Sequence, residues 1–134
     1  MRVILDACAV IAFFKGEVGA DVVEEYLFNS IYDCVIHCIN LCEVYYDFLR
    51  SEGESVAENV VRDLEMANVS FSTELSRDFW RQVSKYKATI RRISLADCFA
   101  LALANQEDGI LVTSDRKEFE PVVPLNICQI NFIR

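Results

Sequence analysis

Four carboxylates stand out by where they fall. Asp6 closes the run "RVIL", Glu43 sits just inside "INLCEVYYDFLR", Asp97 heads "SLADCFALALA", and Asp115 follows "GILVTS". Carboxylate oxygens are hard anionic donors, so several of them at one point suit Mg²⁺ or Mn²⁺ and the hydrolytic chemistry such an ion supports. Asp6 presses this reading hardest. Lodged between an Ile/Leu strand and "ACAVIAFF", with no basic neighbour and a single His in the chain, it would be costly to bury unpaired.

Each acid also has a plainer reading as a helix cap. "SLAD" (94–97) fits a capping box, "NLCE" (40–43) is close to one, and Asp115 can cap a short helix with Glu118 at its third position. A helix N-terminus favours the ionised carboxylate, so the cap and ligand readings are compatible.

The elements that would gather these acids follow from periodicity. Strands are expected at "RVILDA" (2–7), "DCVIHCI" (33–39), "VSFS" (69–72), "GILVTSD" (109–115) and "LNICQINF" (125–132), the last after Pro121 and Pro124. Helices are expected at "AVIAFFKGE", broken by Gly16 and Gly19, at "ADVVEEYLFNS" (20–30), and from Asn40 to Gly53. Further helices are expected at "ESVAENVVRDLEMAN", at "TELSRDFWRQVSKYKA" (73–88) from a Thr73 cap, and from Ser94 through Asp97. Strands alternating with helices imply βαβ units: an α/β, three-layer α/β/α sandwich around a mostly parallel sheet. Such sheets work at the carboxyl ends of their strands. There Asp6, Asp115, Glu43 in the first turn after strand two, and Asp97 at a helix start would converge.

The 134 residues, 53% of them hydrophobic, suffice for one domain spanning 1–134. No apolar stretch is long enough to cross a bilayer, and the early acid spoils a signal peptide, so a soluble cytoplasmic protein is expected, away from membranes. Six cysteines scattered through apolar patterns fit reduced thiols. A net charge of −8 argues against loose attachment to nucleic acid or anionic lipid. Bound divalent ions would cancel part of it and leave room for a local basic rim.

Taken as a set, "VILDACAVIAFF", "INLCEVYYDFLR", "SLADCFALALA" and "LVTSDRKEFE" resemble the four acidic motifs of PIN-domain ribonucleases, in the order and spacing of VapC-type toxins of toxin–antitoxin pairs. The resemblance covers almost the whole chain. It implies Mg²⁺- or Mn²⁺-dependent RNA cleavage leaving a 5′-phosphate, a homodimer, and inhibition by a small antitoxin. Carried over position by position, Asp6, Glu43, Asp97 and Asp115 are the metal-binding and catalytic acids, with Asn40, Thr113 and Ser114 as polar neighbours. The chain departs from the family where many members carry Ser or Thr after the first acid and it has Ala7 and Cys8.

Lys15, Arg91, Arg92, Arg116 and Lys117 are expected to flank the acidic edge and could grip RNA phosphates, with Arg91, Arg92 and Arg116 best placed. A solvated surface is the plainer account of each. Cys34, Cys38, Cys42 and His37 cannot easily close around one zinc across a strand-to-helix turn, so packing is expected of them, with His37 at the core's edge. Tyr26, Tyr32, Tyr45 and Tyr46 are core or interface residues on the same grounds, and "VVEEYLF" and "CEVYYDFL" are apolar enough to dimerise or to receive an antitoxin helix. An aspartyl phosphatase would show a second Asp two residues after Asp6, and a receiver domain would pair acids there; neither pattern is present. A different class keeps the fold and weakens the site, giving an RNA-binding or protein-interaction module.

Overall fold

Alternation along the strands dictates two cores. The computed structural model describes residues 1–134. Strand β1 (Arg2–Leu5) turns Val3 and Leu5 to one face of a sheet and Ile4 to the other, as expected for a period of two. Strands β2 (Asp33–His37) and β4 (Ile110–Thr113) repeat the pattern: Cys34, Ile36, Ile110 and Val112 join Val3, whereas Val35 and Leu111 join Ile4. Both faces are covered, so these strands are buried nearly throughout.

Short β3 (Ser70–Ser72) and β5 (Gln129–Phe132) complete a five-stranded, wholly parallel sheet in the order β3-β2-β1-β4-β5. Helices α1 (Ala7–Lys15), α2 (Ala20–Phe28), α3 (Cys38–Glu52) and α4 (Glu54–Met66) pack on one face, and α5 (Arg77–Thr89) and α6 (Leu95–Gln106) on the other. The last turns are a one-turn α7 (Arg116–Phe119) and a 3-10 stretch, Glu120–Leu125. The α/β/α sandwich expected from periodicity is therefore the architecture. β1 lies at its centre, between β2 and β4, and the crevice forms where the strand order reverses.

Several boundaries differ from the sequence reading, each for a local reason. Helix α3 opens at Cys38 because the His37 side chain accepts the Ile39 N–H, 3.1 Å away, as its cap. Asn40 therefore lies inside the helix, and Glu43 in its second turn. Helix α5 starts at Arg77 from a Ser76 cap, not from Thr73. β5 begins only at Gln129, since Pro121 and Pro124 wind the preceding residues into the 3-10 stretch. His37 is fully buried, deeper than the core-edge position expected, between the rings of Phe79 and Phe99. Gly19, at φ 97°, is required where the chain crosses the other terminus: an added Cβ would stand 2.7 Å from Ile133.

All six cysteines are free, and of these only Cys42 is exposed. Cys34 donates to the Tyr26 carbonyl, and Cys38 faces the His37 ring, so no zinc-like group converges. Tyr26 and Tyr32 pack edge to face, 4.8 Å between centroids. No helix is long and apolar enough to cross a membrane.

Candidate metal centre

Asp6 is the first residue past β1, and its N–H still pairs with the Val112 carbonyl across the sheet. Its side chain caps α1. Oδ1 accepts the Ala7 N–H at 2.9 Å, and Oδ2 accepts the Thr113 hydroxyl at 2.8 Å and the Cys8 thiol at 3.1 Å. Only 2% of the residue is exposed. Burial pushes the carboxyl above its usual range, opposed by the Cys8, Thr113 and Ala7 hydrogen bonds and reinforced by the charge of Asp115.

Glu43 projects from α3 toward Asp6. Burial, then the charge of Asp6, push its carboxyl upward, while Asn40 Nδ2, 3.4 Å from Oε1, favours ionisation. Asn40 also donates to the Ala96 carbonyl at 3.1 Å, tying α3 to the start of α6. Its Oδ1 is buried without a partner.

Asp97 shows which of two readings its carboxylate serves. Ser94 Oγ does cap the Asp97 N–H, at 3.0 Å. In a reciprocal box Asp97 would return to the Ser94 N–H, but that donor is taken by Glu118 Oε2 at 3.2 Å. The Asp97 carboxylate is thereby released from capping and faces the other acids. Asp115 is a true cap of α7: Oδ1 accepts the Glu118 N–H at 3.0 Å, and its own N–H goes to Thr113 Oγ1 at 3.1 Å.

The result is two overlapping triads. Carboxylate oxygens of Asp6, Glu43 and Asp97 lie within 4.8 Å of one another, and so do those of Asp97, Asp115 and Glu118. Asp97 belongs to both. Glu118 is the residue sequence reasoning missed as a ligand, because its spacing from Asp115 marked it as part of a cap. None of the five acids enters an ion pair. An all-oxygen donor set, two carboxyls pushed upward by burial and no cationic side chain to compensate them fit a hard divalent cation.

The model of the family described as PIN domain matches residues 3–122. The chain belongs to the PIN domain family. Three solved structures similar to it are VapBC2 from Rickettsia felis bound to a promoter DNA fragment, VapBC-1 from nontypeable Haemophilus influenzae, and DNA-bound VapBC from Salmonella typhimurium. Their TM-scores are 0.73, 0.72 and 0.73 at 17%, 20% and 16% identity. The likeness covers 98%, 99% and 100% of this chain and 98%, 98% and 99% of theirs, respectively, and at this identity it speaks for the fold. A comparison with curated protein sequences finds no match.

In this PIN domain the departure at Cys8 is filled by chemistry of the same sense. The thiol donates to Asp6, lies 3.3 Å from the Thr113 hydroxyl and accepts the Ser114 N–H at 3.4 Å. Burial and the Asp6 charge push it up to about 12, so it stays a protonated donor at neutral pH.

The cations divide sharply. Lys15 does not flank the acids: it closes the far end of α1, paired with Asp47 at 3.0 Å and lying over the Phe48 ring. Arg116 is turned away to the Arg134 carbonyl, Glu120 and the face of Phe132. Arg91 is exposed, unpaired and outside the cavity that Arg92 and Lys117 line with Asp115 and Glu118, so the structure does not bring it to the acids.

Proposed function

We propose that this PIN domain, acting as a single domain, is a metal-dependent endoribonuclease and the toxin of a toxin–antitoxin pair. The observation that carries the reading is the pair of carboxylate triads joined through Asp97, none of whose acids forms an ion pair with a basic side chain. Mg²⁺ or Mn²⁺ is the cation such a set suits. A bound ion would supply a water acidic enough to attack a phosphodiester and neutralise charge on the leaving oxygen.

The protein's own contribution is placement. Asp6 and Asp97 offer oxygens from a strand end and a helix start, elements fixed by the two cores. Thr113, Cys8 and the Ala7 N–H hold Asp6 in one orientation, and Asn40 does the same for Glu43. Asp115 and Glu118 extend the donor set, which supports a second ion. Ser114 contributes its backbone N–H to Cys8.

The toxin assignment rests on the fold likeness to VapBC complexes. It is supported by an apolar cavity of about 390 Å³ among Phe13, Phe14, Leu27, Phe28, Leu64 and Met66, a seat for antitoxin side chains. Homodimer formation is carried over from the resemblance of the four acidic motifs to VapC-type toxins.

The test is cleavage of a mixed RNA panel with Mg²⁺ or Mn²⁺ by the purified, antitoxin-free protein, beside Asp6→Asn and Asp97→Asn variants that retain their circular dichroism. Metal-dependent cutting lost in both variants supports the nuclease. Metal and RNA binding without cutting turns the reading toward a binding module of the same fold.

A further inference from the structure

We infer that Arg92 and Lys117 form a seat for the phosphate next to the one that is cut, on the Asp115/Glu118 side of the acids. This rests on the nuclease reading and adds to it the residues that hold the RNA strand.

The cavity has a volume of about 330 Å³, and its only lining residues are Arg92, Asp115, Lys117 and Glu118. It is thus a concavity lined by charged residues alone, in which two cations stand beside two carboxylates. Such neighbours ordinarily pair, yet no ion pair in the protein involves either Arg92 or Lys117. Their positive charge remains open to an anion, and the carboxylates remain open to a cation. A phosphodiester approaching a metal offers both contacts, with one phosphate at the ion and its neighbour at the cations.

Backbone geometry points the same way. Arg92 sits at φ 64°, a left-handed conformation in which a side chain is disfavoured and glycine or asparagine is the ordinary choice. The turn from α5 to α6 needs that conformation but does not need an arginine. Two residues on, Ser94 is bonded to Glu118 through its N–H and to Asp97 through its hydroxyl. The segment bearing Arg92 is therefore tied to both walls of the acidic crevice, which fixes where its backbone stands beside the acids.

Charge explains why such a seat matters here. With a formal net charge of −8, the protein offers RNA no general attraction. Lys15 and Arg116 are engaged elsewhere, so local grip falls to the cations left unpaired at the crevice.

The test is anisotropy of a labelled, mixed-sequence single-stranded RNA titrated with Asp97→Asn protein in Mg²⁺ across a salt series. Arg92→Gly, Lys117→Gln, their combination, Arg92→Lys and Arg91→Gln are introduced in that background. Glycine relieves the strained backbone, so Arg92→Gly melts at or above the parent by circular dichroism. The double variant is expected to bind about tenfold more weakly, with a log–log salt slope shallower by roughly 0.7 for each phosphate no longer neutralised. Arg92→Lys keeps the slope, and Arg91→Gln changes neither quantity. An unchanged slope in the double variant, or an Arg91→Gln effect equal to that of Arg92→Gly, overturns the seat alone. No binding or cutting of this RNA by the wild-type protein overturns the nuclease reading and the seat with it.

Discussion

The Thr113 hydroxyl donates to Asp6 Oδ2 at 2.8 Å, joining the ends of two neighbouring strands whose residues lie 107 positions apart. The same hydroxyl accepts the Asp115 N–H, so one side chain orients an acid of each triad. Thr113→Val removes both hydrogen bonds while keeping the shape. It should cost about 1.5–3 kcal/mol, the scale for a hydrogen bond to a charged group, and lower metal affinity roughly 10–100-fold. Thr113→Ser should keep most of both. Urea unfolding and calorimetric Mg²⁺ titration decide; equal Mg²⁺ affinity in the valine variant would refute the orienting role.

Asp6 and Glu43 carry a pH signature. Burial raises both carboxyls above their ordinary values of 3.8 and 4.5, so the folded chain holds more protons than the unfolded chain from those values upward. Their contribution is present at lower pH and lost as pH rises through the folded values. The stability difference between metal-free Asp6→Asn and wild type should therefore move in the variant's favour as pH rises from acid to neutral, read from melting curves of both. Mg²⁺ should raise the melting temperature of wild type and barely move the variant. A metal-free difference that stays constant with pH would contradict this.

His37 works in the opposite direction. Its Nδ1 accepts the Ile39 N–H and its Nε2–H donates to the Glu74 carbonyl, a pattern only the neutral ring satisfies. Burial pushes its pKa below 6.5, against the smaller pull of Glu74. The unfolded chain then binds the extra proton first, so this contribution is full above pH 6.5 and is lost as pH falls below it. His37→Asn, which can still cap α3, should be about 1–2 kcal/mol less stable at pH 8, with the gap narrowing toward pH 5. Melting curves of both proteins over that range provide the check; a constant gap would exclude a neutral-ring requirement.

Glu118 separates capping from metal binding. Glu118→Gln keeps an oxygen for the Ser94 N–H and removes the charge, so it should fold normally and cut RNA roughly tenfold or more slowly, on the scale of a weakened metal site. Glu118→Ala should also lose about 0.5–1 kcal/mol of stability through the freed N–H. Full activity in a folded Glu118→Gln protein would confine this acid to the cap.

Sheet and acids were legible for the same physical reason. A strand buried on both faces is a short apolar run, and an acid at its carboxyl end breaks that run conspicuously, as Asp6 and Asp115 do. Boundaries set by unusual caps or by distant partners were hidden. His37 caps α3 although histidine is no usual cap, and Asn40, which looks like one, is held by Ala96 and Glu43. Glu118 escaped notice because its bond to Ser94 spans 24 residues. The unequal standing of the five cations was equally invisible, since Asp47 and the Arg134 carbonyl claim theirs from remote segments.

The solitary exposure of Cys42 makes the protein easy to instrument. Cys8, Cys34, Cys98 and Cys128 are pushed up to about 12, 11, 11 and 12, chiefly by burial, which leaves almost no reactive thiolate among them at neutral pH. A maleimide dye should attach first at Cys42, directly beside Glu43 in sequence. A fluorophore at that point would give the proposed binding of a divalent ion, RNA and an antitoxin a direct readout, with every acid left unaltered.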